Sequence, residues 1–237
     1  MSKLKFTRRT VLRTGVAGGA AVAAGSLFLP AVHAQASTKI GYVTPATGPL
    51  AAFAEADDFV LGNVREMFAA KGVEIVVKDT QSNPARAAEV TQELIAEGVS
   101  MVLVSSTPET VNPTASVCEA NQIPCISTVA PWQPYFFGQG GDPAVGFNYS
   151  YHFFWGLEDL MAVFAGMWNQ LDTNKKVGGL FPNDGDGNAW GGAFPGFFGA
   201  QGYEITDPGR YENLNSDFSS HFDWVNSTAR PTPSTTA

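Results

Sequence analysis

Hydrophobic and polar residues change their spacing twice between Lys39 and Asp79, and this pattern predicts a strand–helix–strand unit. A short β-prone run at 39–43 ends in a turn rich in Gly and Pro at 44–49. Apolar residues then recur every three or four positions, as in a helix that packs one face on a sheet. They are Phe53, Ala56, Val60, Val64, Met67 and Phe68. The run at 73–77 is almost continuously apolar, which is typical of a buried parallel strand.

The alternation of strands and helices continues after this unit. Asn83 and Pro84 provide a capping side chain and a proline at the first helical position for a second helix. Buried strands are predicted at 101–104 and 123–126, with a helix at 111–121 between them. This order predicts an α/β lobe built on a mainly parallel sheet.

A stretch rich in Gly, Pro and aromatic residues at 134–148 interrupts this rhythm and marks a lobe boundary. A helix that is apolar nearly all round is predicted at 151–171, followed by strands at 176–182 and 202–206. One more helix is predicted at 217–225. So few elements make a thin second lobe, which is marginal unless it leans on the first.

The first residues predict an export signal that is removed from the mature protein. A basic start, a weak Ala- and Gly-rich apolar run and a small-residue cleavage pattern give a signal peptide over residues 1–36. The pair Arg8 and Arg9 beside Val-Leu favours a twin-arginine signal over a general secretory one. We therefore expect an N-terminal lobe at 37–149, a partial second lobe at 150–225 and a disordered tail at 226–237.

The net charge of the chain limits the classes of partner that it is expected to bind. The chain carries a formal net charge of −8, and removal of the basic signal makes the remainder more acidic. This argues against nucleic acid and against an anionic membrane surface as a partner. No Cys lies near the predicted cleavage site, so we expect no lipid anchor there and no direct membrane insertion after cleavage. The prediction is a freely diffusing periplasmic, or otherwise exported, protein.

The chain has two cysteines, Cys118 and Cys125. Export permits a disulfide between them, but both also occupy apolar positions that suit buried thiols. The sequence leaves these two alternatives open. Metal binding is not expected, because no second Cys or His pair accompanies them.

Hydroxyl side chains follow two of the predicted strands at their carboxyl ends. Ser105, Ser106 and Thr107 precede a helix, while Ser127 and Thr128 end the next strand. Hydroxyls and free helix N-terminal amides together suit an anion such as a carboxylate. The alternative is that these residues only cap helices.

Two tryptophans are candidates for a ligand face. Trp132 lies in a Pro-rich segment, where it contacts either a ligand or the neighbouring aromatic residues. The loop before Trp190 has Asp184 and Asp186 at calcium-loop spacing. Ala189 stands where an EF-hand requires Gly and no Glu closes the site, so we reject an EF-hand. The two acids are instead predicted to cap the next helix, and Trp190 to point into a cleft.

Two segments resemble a known family. Residues 47–55 (TGPLAAFAE) and 78–87 (KDTQSNPARA) are similar to the leucine/isoleucine/valine-binding group of periplasmic solute-binding proteins. The resemblance extends over 39–225. It implies the two-lobed α/β fold of type I periplasmic binding proteins, with parallel sheets flanked by helices and here an incomplete second lobe.

The resemblance also implies a function without catalysis and without a cofactor. Such proteins bind amino-acid-like, amide or related small solutes between their lobes and deliver them to the membrane permease of an ABC importer. In the family a carboxylate is held after the third strand, matching Ser105 and Ser106, and an aromatic residue at the place of Trp190 covers the ligand. The expected ligand-binding residues are Phe53, Ser105, Ser106, Thr107, Ser127, Thr128, Trp132 and Trp190.

Other functions remain open at this point. Family members continue well beyond this chain, so the resemblance implies a C-terminal truncation. The alternatives are a ligand-sensing domain of an exported receptor, a non-functional truncated remnant, and a secreted α/β enzyme. The enzyme is disfavoured because only His152 and His221 lie outside the signal and no nucleophile-elbow or zinc motif is present. A dinucleotide fingerprint after the first strand is also missing.

Overall fold

The computed structural model describes residues 38–229. The predicted signal peptide at 1–36 and the last residues of the predicted tail, 230–237, lie outside this range. Among the helices within residues 38–229, none combines the length and the apolar character needed to span a membrane.

Five strands form a parallel sheet in the N-terminal part of the structure, which comprises residues 38–152. These strands are β1 (Thr38–Thr44), β2 (Val73–Asp79), β3 (Met101–Ser105), β4 (Cys125–Thr128) and β5 (Ser150–His152). Their order across the sheet is β2-β1-β3-β4-β5. The predicted parallel α/β architecture is therefore confirmed.

Four helices connect or flank these strands. They are α1 (Asp57–Ala69), α2 (Pro84–Ala96), α3 (Pro108–Ala120) and α4 (Trp132–Gly138). The predicted cap of α2 is confirmed, since the Asn83 side chain accepts hydrogen bonds from the amides of Ala85 and Arg86 at 2.8 and 3.1 Å. Leu94 of α2 and Val111 of α3 are fully buried in the core of this part.

Helix α1 differs from the prediction. The sequence predicts one helix from Leu50 with a stripe packed on the sheet, but a short 3-10 helix at Ala51–Ala54 precedes α1. No residue of α1 is buried, and Val60 and Met67 are about half exposed. The apolar stripe instead borders a cavity between α1 and the sheet.

The segment after the Gly-rich stretch also differs from the prediction. The expected helix from Tyr151 begins only at Leu157, because Ser150–His152 pairs with β4 as the fifth strand. The Glu119 carboxylate holds this strand in place by accepting the amides of Asn148 and Tyr149, both at 2.8 Å. The Pro-rich segment around Trp132, for which no element was predicted, forms the short helix α4.

The C-terminal part, residues 157–229, contains three helices and two pairs of short parallel strands. Its elements are α5 (Leu157–Trp168), β6 (Lys176–Gly178), β7 (Phe181–Pro182), α6 (Gly185–Gly199), β8 (Glu204–Thr206), β9 (Arg210–Tyr211) and α7 (Ser219–Ala229). A separate, aromatic-rich core is centred on the fully buried Phe198. Helix α7 extends to Ala229 and so includes the first residues of the predicted tail.

Candidate functional site

The strand order determines where a ligand site is expected. From β1 the chain first adds β2 on one side of the sheet and then crosses to add β3 on the other. In open parallel sheets such a switch point leaves a crevice beyond the carboxyl ends of the two strands. In this protein the crevice lies between the turn after β1 and the start of α3.

The turn after β1 is held rigidly. Thr47 donates its hydroxyl to Asp79 at 2.6 Å, and Ser82 donates its own to the Thr47 carbonyl at 2.7 Å. Gly48 adopts a φ of +90°, and a Cβ there would lie 2.7 Å from the Ser82 hydroxyl. Burial disfavours an ionised Asp79, but the hydrogen bonds from Thr47 and Gln81 outweigh it and lower its pKa. The turn therefore presents a fixed surface.

Three of the predicted site residues line a single cavity at this end of the sheet. Phe53, Ser105 and Thr128 border a space of about 590 Å³ between α1 and the sheet. The rest of its wall is mainly apolar and includes Val60 and Leu103. Phe53 is 43% exposed, so its ring can contact a solute without first being uncovered.

Tyr42, Thr44 and Asp57 form a polar cluster at this cavity that the sequence pattern did not predict. Tyr42 donates its hydroxyl to Asp57 at 2.7 Å, and Thr44 donates to the other carboxylate oxygen at 2.5 Å. Burial, with the Asp57 carboxylate beside it, raises the pKa of Tyr42. Since Asp57 lines the cavity, it gives an otherwise apolar wall one negative group.

Ser106 and Thr107 lie at the start of α3 beside the switch point. Ser106 is fully buried, and the hydroxyl oxygens of both residues lack a hydrogen-bond partner among the described residues. Buried hydroxyls are usually paired, because an unsatisfied one costs about 1–3 kcal/mol. Neither hydroxyl caps α3, so the capping alternative does not account for them.

Ser127 and Thr128, at the end of β4, form hydrogen bonds with residues 151–153, which lie beside them. The Ser127 hydroxyl lies 2.7 Å from Nδ1 of His152 and donates to the Tyr151 carbonyl at 3.2 Å. Thr128 donates its hydroxyl to the Phe153 carbonyl at 2.7 Å. Ser127 is fully buried, so its hydroxyl has a structural role in this conformation.

Ser106 and Ser127 are thus two buried serines with opposite hydrogen-bonding states. We expect Ser127→Ala to lower the free energy of unfolding by about 1 kcal/mol, because the hydroxyl's hydrogen bonding to Tyr151 and His152 is lost. Ser106→Ala should leave it unchanged or raise it, because no described hydrogen bond is lost. Urea denaturation of both variants measures this difference, and equal losses would contradict the assignment.

Trp132 connects the two parts of the structure. Its indole Nε1 donates to Glu158 Oε1 on α5 at 2.9 Å, and the side chain of Gln133 donates to the other carboxylate oxygen. The ring also packs at 5.8 Å from that of Phe137. Of the two alternatives for Trp132, packing against a neighbouring aromatic residue is therefore observed.

Trp190 lies elsewhere. It borders a crevice of about 360 Å³ in the C-terminal part, with Phe164 of α5 and Phe194 of α6. This crevice shares no lining residue with the cavity at Phe53. The structure therefore places Trp190 in a different crevice from Phe53, Ser105 and Thr128.

The two acids before Trp190 have different environments. Asp184 caps α6 as predicted, accepting the amide of Gly187 at 2.7 Å, whereas Asp186 does not cap, and its Oδ1 is buried without a partner among the described residues. Glu109 of α3 accepts the amide of Gly185 at 2.7 Å and so brings a third carboxylate close. Burial, followed by the charges of Glu109 and Asp184, raises the pKa of Asp186 to about 7.

Cys118 and Cys125 are both fully buried and are free thiols. Their proximity and burial raise the pKa of Cys125 well above its ordinary value, so it is protonated at neutral pH. Of the two alternatives, the structure has the buried thiols. Within residues 38–229, no group of His, Cys, Asp and Glu side chains is arranged to hold a metal ion.

Comparison with known proteins gives one family. A family model described as periplasmic binding protein matches residues 37–226. No curated protein matches the chain significantly.

Solved structures with the same fold include three proteins of transport systems. A solute-binding protein of an ABC transporter from Rhodopseudomonas palustris, in complex with 3,4-dihydroxybenzoic acid, is 21% identical with a TM-score of 0.64, over 81% of this chain and 52% of that one. The leucine-binding protein LivK from Thermotoga maritima is 20% identical with a TM-score of 0.66, over 80% and 53%. The branched-chain amino acid transporter protein LivJ from Streptococcus pneumoniae, in complex with isoleucine, is 20% identical with a TM-score of 0.61, over 82% and 55%.

The extent of these matches limits what they establish. At such identities the similarity shows a shared fold. The chain spans about half the length of the solved structures that it matches. The activity and partners of a whole protein of this type are therefore matters of proposal for this chain.

Proposed function

Because the chain belongs to the periplasmic binding protein family, we propose that it is the extracytoplasmic solute-binding protein of an ABC importer. It binds a small organic acid, either amino-acid-like or aromatic, or a related amide, and hands it to a membrane permease. Binding involves no bond making or breaking. The proposal includes three further expectations. They are the division into lobes at 37–149 and 150–225, the periplasmic location and the export signal.

One observation carries the proposal. The switch point between β1 and β3 borders a cavity lined by Ser105 and Thr128, at the carboxyl ends of β3 and β4, and by Phe53 of the 3-10 helix after β1. A site of this kind, mostly apolar with a few convergent polar groups, is what small-molecule binding requires. The unpartnered hydroxyls of Ser106 and Thr107 follow Ser105 at the start of α3, but neither residue lines the cavity and Ser106 is fully buried.

The class of solute follows from the composition of the site. Apolar walls with the hydroxyl-bearing residues Ser105 and Thr128 at strand ends suit a molecule with a hydrophobic body and a polar group such as a carboxylate. Two similar structures were solved with ligands of this kind, 3,4-dihydroxybenzoic acid and isoleucine. Leucine, isoleucine and valine are therefore the first candidates, together with hydroxybenzoates.

Calorimetry on the exported chain tests the function directly. The titrants are branched-chain amino acids, their amides and hydroxybenzoates, and each is compared with its uncharged analogue. Saturable binding of at least one acid, with its analogue weaker, is the expected result. An absence of binding across the panel would reject the proposal for this chain.

Phe53 provides a test of the location. We expect Phe53→Ala to weaken solute affinity about tenfold, because a large apolar contact of about 1–2 kcal/mol is lost at the cavity. Phe59→Ala is the matched control, since Phe59 is 77% exposed and lies outside the cavity lining. Calorimetry should find its affinity unchanged, and equal losses in both variants would place the solute elsewhere.

A further inference from the structure

The crevice in the C-terminal part is lined by five aromatic residues and one carboxylate, together with the apolar segment at 177–182 and Gly187. Asp186, Trp190 and Phe194 follow at intervals of four on α6 and so share one face of that helix. Phe164 and Trp168, also four apart, face them from α5. The spacing of both sets was visible in the sequence, but not that the two helices would face each other.

The rings are inclined rather than stacked flat. Phe164 lies at 72° to Trp190 with centroids 6.2 Å apart, and Trp190 at 55° to Phe194. Phe181 of β7 meets Phe194 at 66°. Since Phe164 and Trp190 keep part of their surface exposed, the crevice of about 360 Å³ is open to a small molecule.

Asp186 is the exception in this apolar wall. Its Oδ1 is buried and accepts no hydrogen bond from the described residues. None of the ion pairs formed within 38–229 includes it. The charges that act on it, those of Glu109 of α3 and Asp184 before α6, are also carboxylates. The one cation recorded against a ring of the crevice is the Arg210 guanidinium, which lies 5.3 Å from the centroid of Phe181 and pairs with Asp207 at 3.0 Å. The crevice thus places the Asp186 carboxylate beside aromatic rings without an ion-pair partner among the described residues.

We infer that this crevice is a binding site for a small organic ammonium ion, with Asp186 as the counter-ion and the surrounding rings as its walls. Aromatic rings attract ammonium groups through their negative faces, most strongly when water is excluded. A bare metal ion is not suited, because within residues 38–229 no group of His, Cys, Asp and Glu side chains is arranged to hold one. The inference does not rest on the solute site at Phe53.

The carboxylate disfavours folding in the absence of such a cation. The pKa of Asp186 is raised to about 7 in the folded protein, so the folded state binds a proton that the unfolded state has released. Stability therefore decreases as the pH rises through the window from the ordinary value of 3.8 to about 7. A bound ammonium ion would remove this penalty by lowering the pKa again.

Calorimetry of the full chain with choline, at about pH 8, tests the inference. Its uncharged isostere 3,3-dimethylbutan-1-ol is expected to bind at least about tenfold more weakly, since it has the same shape without the charge. Choline affinity should also fall about tenfold from about pH 8 to about pH 6, as Asp186 takes up its proton. Equal binding of choline and the isostere, or no choline binding, would overturn the inference.

Two variants separate a ligand role from a structural one. Asp186→Asn should weaken choline binding by about tenfold or more and, at about pH 8, raise the melting temperature of the free protein. Asp172→Asn, which removes an exposed carboxylate outside the crevice, should change neither quantity. If Asp186→Asn melts at a lower temperature with unchanged choline affinity, Asp186 is a structural residue and the inference fails.

Discussion

Replacement of Phe198 by alanine should destabilise the C-terminal part by about 3–5 kcal/mol. Phe198 has no exposed surface, and its ring lies 4.4 Å from that of Phe194 and 4.6 Å from that of Trp168. Removal of the ring leaves a cavity that the inclined neighbouring rings cannot fill. A loss of this size is a large fraction of the 5–15 kcal/mol typical of a folded domain.

Urea denaturation followed by tryptophan fluorescence measures this loss. Phe153→Ala is the matched control, because Phe153 is 80% exposed and surface substitutions usually change stability by less than about 0.5 kcal/mol. We further expect Phe198→Ala to increase proteolysis within residues 157–229 before the N-terminal part is cut. Similar denaturation midpoints for the two variants would show that Phe198 is not central to this core.

Gly187→Ala should have an effect of similar size for a different reason. A Cβ at Gly187 would lie 2.0 Å from the carbonyl oxygen of Pro182, so α6 could not keep its place against β7. The obstacle is backbone, which cannot rotate away as a flexible side chain can. We expect a loss of about 3 kcal/mol or more, at the upper end for overpacking.

Gly192→Ala in the same helix provides the opposite expectation. No atom lies within 4 Å of a Cβ at Gly192. Alanine is the better helix former, so this variant should gain up to about 1 kcal/mol. Thermal melting of the pair followed by circular dichroism should show shifts of opposite sign, and a small or positive shift for Gly187→Ala would disprove the close approach.

The N-terminal part could be predicted well because its signals are local. The apolar runs of β2 and β3 indicated buried parallel strands, and Asn83 with Pro84 indicated the start of α2. The prediction failed at Tyr151, where an apolar run has the same appearance in a helix and in a strand. This segment forms a strand because it pairs with β4 and because Glu119 accepts a hydrogen bond from the amide of Tyr149 just before it. Neither contact can be read from the local sequence.

The candidate site was only partly predictable. The carboxyl ends of parallel strands meet at one edge of a sheet, so the placement of Ser105 and Thr128 on one cavity followed from the strand assignment. The contact between Tyr42 and Asp57 did not, because it depends on where the turn after β1 returns the chain. Trp190 was expected at the same site, but its rotation on α6 turns it toward Phe164.

The hydrogen bond from Trp132 to Glu158 makes Trp132 an intrinsic fluorescent probe of the contact between the two parts of the structure. The indole belongs to α4 in the N-terminal part and its acceptor to α5 in the C-terminal part. A separation of the two parts would break this bond and so change the surroundings of an indole that is already 37% exposed, which alters its emission. Because the chain has five tryptophans, a variant that keeps Trp132 and replaces the other four by Phe can report such a movement in real time.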